Sequence, residues 1–291
     1  MSGILKDLLC RIWFAFGPLA GPTIRGLLAS SIGTFAWRLD RHGRRHLETN
    51  LRTLLPSSTP AARQRLSRQC YQHFITHCFD ITRLSQPLRR YLGTEVIDPH
   101  DRGRQALQQG SIATTAHVNW ETCLALGHRL GLFPESHAIA LKSDQGPLSQ
   151  LIANQRAAVG CTTLWHQGPP LAALRALREG TSLLIVADRS YSATTFSYQH
   201  QSIPWQLPAG PAALAVQTDA PIIPLILLIP PRKSPRILIH PPLYPDVRLP
   251  PRLRIQHLAQ RHARALLWLL SKGSNQWVAF QPLFHLPRSA T

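Results

Sequence analysis

Lysine is nearly missing from this chain. Only four of its 32 basic residues are lysine (Lys6, Lys142, Lys233 and Lys272), and acidic residues number just 14. The resulting formal charge of +18 creates a field that favours anionic partners: nucleic acid, an anionic lipid surface or an acidic protein. The arginines are dispersed, with neither zinc-finger spacing nor a basic platform interleaved with aromatics. That ranks nucleic acid below membrane, and no nucleic-acid partner is expected. Cysteine is scarce and odd in number (Cys10, Cys70, Cys78, Cys123 and Cys161) and never spaced CxxC. A disulfide framework is therefore excluded as the basis of the fold, and a reducing compartment fits. Cys70, His73 and His77 would share one helix face and in principle could bind a metal, but with no fourth ligand evident they are read as half-buried helix residues. Internal repeats and low-complexity tracts are absent. What remains is 291 residues, 44% hydrophobic, enough to bury one sizeable core and too apolar for a disordered chain.

A clean membrane span is also lacking. Ile12 to Ile24 is uncharged, Arg25 interrupts, and Gly26 to Trp37 is uncharged again. The length suits the roughly 20 residues a span needs, but the stretch carries two prolines, four glycines and a central arginine. Arginine in hydrocarbon is costly unless it snorkels or pairs. Trp13 and Trp37 lie near the two ends, where interfacial aromatics are common. The expectation is a membrane-associated hairpin or interfacial segment; a buried helical pair is the alternative. The basic run Arg38, Arg41, His42, Arg44, Arg45, His46 follows, which favours a cytoplasmic location and attracts anionic headgroups. Residues 1–43 are read as this segment with its basic flank, and 44–291 as an α/β domain.

Within that domain the spacing of apolar residues predicts a helix over Ala61–Leu84. After Gly93, short apolar runs alternate with helical segments. Strands are expected at Ser111–Ala116, His137–Leu141, Thr162–Trp165, Ser182–Ala187, Ile222–Ile229 and Arg236–His240. Helices are expected at Thr122–Leu132, Gln145–Val159, Pro170–Glu179, Gly210–Thr218 and Arg252–Ser271. Such alternation implies an α/β fold with a mixed, mostly parallel sheet flanked by helices. Reactive groups then gather beyond the C-terminal ends of the strands, where both His117 and Asp188 fall.

The run Thr114-Thr115-Ala116-His117-Val118-Asn119-Trp120-Glu121 is the most informative one. An imidazole and a carboxylate at a strand-to-helix turn suit general-base chemistry, the carboxylate holding one ring nitrogen while the other faces a substrate. A structural histidine at a turn would look the same. If the helix begins early, His117 and Glu121 fall at i and i+4 and can meet.

Several segments, taken in order, resemble the bacterial lipid A biosynthesis acyltransferases (the lauroyl and myristoyl transferases), within the glycerolipid acyltransferase superfamily. The similarity runs from about Arg44 to Phe280. Arg45-His46-Leu47-Glu48-Thr49-Asn50-Leu51 with Leu55-Pro56 is similar to the family's Asn-Leu and Pro segment. His117 to Glu121 resembles its His-Phe-Gly-Asn-Trp-Glu signature, and Lys142 stands where the family has an arginine. Arg156 and Gly160, Leu177 to Gly180, Ile185 to Asp188, Gly210 to Ala215 and Ala220 to Pro224 match further pieces. Asn275-Gln276-Trp277 is similar to a C-terminal Glu-Gln-Trp. Three differences stand out. The histidine and acid are separated by three residues rather than four. Arg189 replaces a glutamine, and Ile203-Pro204-Trp205-Gln206 replaces a Phe-Phe-Gly stretch.

The resemblance implies transfer of a fatty acyl chain from a thioester donor, acyl carrier protein or acyl-CoA, to a hydroxyl of a lipid A-like or other glycolipid acceptor. It implies His117 as general base and Glu121 as the group fixing its tautomer. Lys142 and Arg156 would hold an anion of donor or acceptor. Asp188 would bind an acceptor hydroxyl or pair with Arg189, and Asn119 and Arg189 would also border the substrate. No metal or cofactor is implied beyond the acyl donor, and the location implied is the cytoplasmic face of the bacterial inner membrane. The shortened motif raises a second possibility, a non-catalytic lipid-binding or scaffolding member of the family.

Overall fold

The apolar runs of the sequence become strands of one sheet in a computed structural model of the chain. It describes residues 13–15, 17–86, 91–141, 146–166, 170–190, 194–230 and 233–284. Three helices come first: α1 (Pro22–Leu39), α2 (Arg41–Leu54) and α3 (Pro60–Ile81). The α/β part follows as β1 (Glu95–Ile97), α4 (Arg102–Gln108), β2 (Ile112–Thr115), α5 (Trp120–Arg129), β3 (Ser136–Leu141), α6 (Pro147–Ala157), β4 (Cys161–His166), α7 (Leu171–Arg178) and β5 (Ser182–Val186). A hairpin, β6 (Thr195–His200) and β7 (Ile203–Pro208), precedes α8 (Gly210–Thr218), β8 (Ile222–Leu228), β9 (Arg236–Ile239) and α9 (Pro251–Lys272).

The main sheet has the order β1-β9-β8-β2-β5-β3-β4. Its pairs are parallel except β8 with β9. All six expected strands form, within a residue or so at each end. The sequence reading missed β1, which is only three residues long, and the β6–β7 hairpin, in which β6 alternates between exposed and half-buried while β7 buries Trp205 and Leu207. Central strands are buried on both faces, as helices on both sides require. Successive residues therefore serve opposite layers. Ala113, Leu184 and Ile223 pack with Leu107 of α4 and Leu124 of α5. Their neighbours Ile112, Leu183 and Ile222 pack with Ala176 of α7, Leu214 of α8 and Leu258 of α9.

The N-terminal helices are built by local rules. Proline opens α1 and α3, where its missing N–H costs nothing. Asp40 caps α2 by accepting from Gly43 N at 2.8 Å, and its other oxygen accepts from Tyr71 Oη at 2.7 Å. Helix α1 lies against α3 so closely that a Cβ at Gly33 would meet Gln72 Cα at 2.6 Å. Both tryptophans expected at an interface instead turn their indoles inward. Trp13 Nε1 donates to Cys78 O, and Trp37 Nε1 donates to Ser67 Oγ. Among the described residues no helix is long and apolar enough to cross a membrane. The outer face of α1 is nonetheless apolar: Ile24, Leu27, Phe35 and Leu39 are all exposed, Leu27 at 65% and Phe35 at 62%.

Candidate active site

Strand register brings the two principal site residues together. In the parallel pair β2–β5, Thr115 lies opposite Val186. Two residues further along each strand stand His117 and Asp188. Ala187 N donates to Thr115 O at 2.8 Å, continuing the pairing just past the strands. His117 Nδ1 then sits 2.6 Å from Asp188 Oδ1, and His117 N donates to Asp188 Oδ2 at 3.2 Å. Asp188 is fully buried, while the His117 side chain keeps 22% exposure. A carboxylate only accepts, so Nδ1 carries the proton and Nε2 is left as the basic nitrogen. Nε2 takes no hydrogen-bond partner among the described residues.

Burial alone would push the Asp188 carboxyl toward protonation. The positive charge that His117 and Arg189 place beside it, with hydrogen bonds from His117 and from Trp277 Nε1 at 2.8 Å, outweighs that penalty. Its pKa is held well below the usual carboxylate range. Arg189 Nε also lies 3.1 Å from His117 Nδ1. It cannot donate there while Nδ1–H serves Asp188. The shorter, charge-assisted contact to Asp188 is the one that defines the tautomer.

Glu121 does not meet His117, which corrects the pairing expected from sequence. The helix begins only at Trp120, with Asn119 in the left-handed region at φ 50. His117 therefore lies outside the helix, and the i, i+4 relation is never formed. Glu121 instead turns inward to a second histidine: its Oε2 accepts from His77 Nε2 at 2.7 Å, and its Oε1 accepts from Arg156 Nη2 at 3.3 Å. Burial raises the Glu121 pKa, but His77 and then Arg156 bring it below the usual range. The Arg156 guanidinium also stacks over the Trp120 ring, 4.3 Å from its centroid. Arg156 is thus buried against a glutamate and an indole rather than facing solvent.

Asn119 is likewise committed to the protein. Its Nδ2 donates to Gln276 Oε1 at 2.7 Å and approaches Leu227 O at 3.4 Å. Lys142 falls outside the described residues. Of the residues singled out from sequence, the structure gathers His117, Asp188 and Arg189 in one place, with Glu121 and Arg156 in a second cluster. Sequence reasoning missed Trp277 and His77 as partners. His77 sits on an amphipathic helix where nothing in the sequence marks it as a carboxylate ligand. Trp277 belongs to a segment noticed for its resemblance alone. Among the described residues no three metal-ligating side chains gather into a metal site.

The family model for bacterial lipid A biosynthesis acyltransferases matches residues 8–285, nearly the whole chain. No individually curated protein matches it significantly.

Proposed function

Because the chain belongs to the bacterial lipid A biosynthesis acyltransferase family, we propose that it moves a fatty acyl group from a thioester donor to a hydroxyl of a lipid A-like or other glycolipid acceptor. The observation that carries this reading is the His117–Asp188 pair, with Nε2 of His117 facing away from its carboxylate partner. The acceptor hydroxyl gives its proton to Nε2 as its oxygen attacks the thioester carbon, a general-base step worth roughly 10²–10⁴ in rate. Asp188 keeps Nδ1 protonated and stabilises the imidazolium so formed. The tetrahedral intermediate collapses with departure of the thiolate, which takes up the proton. Thiolate leaves readily, so a covalent acyl-enzyme is not needed and the chain's own side chains suffice. Glu121, His77 and Arg156 serve here as the buried framework behind the turn rather than as an anion clamp.

The +18 charge suits an anionic donor, acyl carrier protein or acyl-CoA. The exposed apolar face of α1, followed at once by Arg38, Arg41, Arg44 and Arg45, fits a helix lying in the headgroup layer of an anionic membrane. In this reading the reaction takes place at the cytoplasmic face of the inner membrane, and the basic run after α1 supports it. Sedimentation with phosphatidylglycerol vesicles tests this placement. Leu27→Glu with Phe35→Glu should release the protein from them, and undiminished binding would refute the assignment of that face.

The activity itself is tested with acyl carrier protein loaded with a labelled fatty acyl group and a bacterial lipid extract. Mass spectrometry should find an acylated lipid with the wild type and not with His117→Ala. Vesicle binding without any His117-dependent product, from acyl carrier protein or acyl-CoA, would favour the non-catalytic lipid-binding reading.

A further inference from the structure

Behind the dyad runs a segment that neither the chemistry above nor the family match assigns a role. After α9 the chain passes through a short 3-10 turn, Ser274–Gln276, and extends to Phe284. Three consecutive residues each hold a different part of the site. Gln276 accepts from Asn119 Nδ2 at 2.7 Å. Trp277 donates from Nε1 to Asp188 Oδ2 at 2.8 Å. Val278 N donates to His117 O at 2.9 Å. On its other side the segment is tied to the N-terminal helices. Asn50 of α2 donates to Ala279 O and Gln281 O, and its Oδ1 accepts from Leu283 N. Cys70 of α3 points its thiol at Ser274 O at 3.2 Å. Gln276 is further pinned just past the end of β8, exchanging hydrogen bonds with the backbone of Ile229.

We propose that the segment from Gly273 to Phe284 is a strap that positions the dyad, and that Trp277 is a positioning residue acting on His117 through Asp188. The inference rests on the reading of His117 as general base. Packing alone would ask of residue 277 only a large apolar shape. The indole N–H, however, is a donor with no acceptor capacity, and it is spent on the one carboxylate oxygen not bonded to the imidazole ring. There it stabilises the anion and draws density away from the bond to Nδ1–H. Removing it makes Asp188 a stronger acceptor, which favours imidazolium and makes His117 more basic. Asp188 and Arg189 are the charged groups in contact with the imidazole. The strap and the start of α5 contribute only uncharged neighbours there, namely Gln276, Trp277, Val278 and Asn119.

The test compares the full-length wild type with Trp277→Phe and with benzothienylalanine installed at 277, which keeps the shape of indole but has no N–H. His117 is titrated in each by NMR of ¹³Cε1-labelled histidine, its signal identified by its loss in His117→Ala. Without the donor, the His117 titration should move up by about half a pH unit or more. The acid limb of kcat/KM should follow it, with kcat on that limb falling about threefold per half unit and KM little changed. An unchanged His117 titration in a folded benzothienylalanine variant would overturn the proposal and leave Trp277 a packing residue. If His117→Ala retains full turnover, the reading of His117 as general base fails instead. The titration still decides, independently, whether Trp277 acts on His117.

Discussion

Replacing Asp188 by asparagine separates the two carboxylates of this protein by what each does. Three donors converge on Asp188: His117 Nδ1–H, His117 N–H and Trp277 Nε1–H. An amide offers a single oxygen and two N–H groups of its own. If that oxygen takes the Oδ1 position, the amide N–H groups face both His117 N–H and the indole, two donor–donor clashes in a buried site. If it takes the Oδ2 position, both of those donors are satisfied and the NH2 faces Nδ1 of the imidazole. The second arrangement wins, and it forces the proton from Nδ1 to Nε2. Arg189 Nε, 3.1 Å from Nδ1, is a second donor facing that nitrogen and further disfavours a proton there. His117 keeps its place but loses its basic nitrogen. Acyl transfer should fall by roughly 10²–10⁴, the usual worth of a general base, while stability drops by only about 1–3 kcal/mol. Glu121→Gln should behave the opposite way. It leaves the Arg156 guanidinium, 9% exposed, without its anion, and breaking a buried pair costs about 3–5 kcal/mol. Turnover per folded molecule should then change far less than in Asp188→Asn. The assay pairs turnover by mass spectrometry with urea unfolding in detergent. Near wild-type turnover for Asp188→Asn, or an equal loss for Glu121→Gln at unchanged stability, would refute the assignment of the dyad.

Two further expectations concern the fold. His262, fully enclosed and hydrogen-bonded to Thr114 Oγ1 at 2.8 Å, has its pKa pushed down to about 3, first by burial and then by His240. The unfolded chain takes up this proton near pH 6.5 and the folded chain only near 3, so stability is present above 6.5 and is lost as pH falls through that window. The slope from this group approaches about 1.4 kcal/mol per pH unit. Urea midpoints between pH 7 and 5 should decline less in His262→Gln, and equal declines would count against the burial argument. Alanine at two glycines of α1 should give opposite signs. Gly26→Ala meets nothing within 4 Å and gains about 0.5–1 kcal/mol of helix stability, whereas Gly33→Ala collides with the Gln72 backbone and costs about 1–3 kcal/mol. Thermal melts shifted in the same direction would refute the close packing of α1 on α3.

The sheet was largely legible because buried parallel strands write themselves as short, dense apolar runs, as Ile222–Leu228 does. The hairpin β6–β7 escaped because β6 is never fully buried, β7 buries only Trp205 and Leu207, and its prolines resemble loop chemistry. The site was half legible. That His117 and Asp188 lie beyond strand ends follows from the local pattern, but that they lie beyond adjacent strands depends on strand order. β2 and β5 are 70 residues apart at Ile112 and Ser182, and no periodicity carries the fact that they pair. Pairing Glu121 with His117 rests on the resemblance and on sequence proximity, and the proximity counts only if the helix already includes His117. The left-handed Asn119 delays the helix start and voids that premise.

Delaying the helix also explains how a shortened motif and an intact dyad coexist. With the helix starting at Trp120, the acid lies on the interior face of α5, where His77 and Arg156 meet it. Among the described residues two imidazole–carboxylate pairs have nearly equal length, 2.6 and 2.7 Å. Hydrogen-bond geometry does not choose between them, but access does. His77 keeps 10% of its side-chain surface and sits beside a buried arginine, whereas His117 keeps 22% at the C-terminal edge of a parallel sheet, where substrates of such folds gather. A base must reach the proton it removes, and only the outer pair presents a ring nitrogen to that edge. His117 thus has its orienting carboxylate in Asp188, just beyond β5, while Glu121 of α5 serves the inner pair.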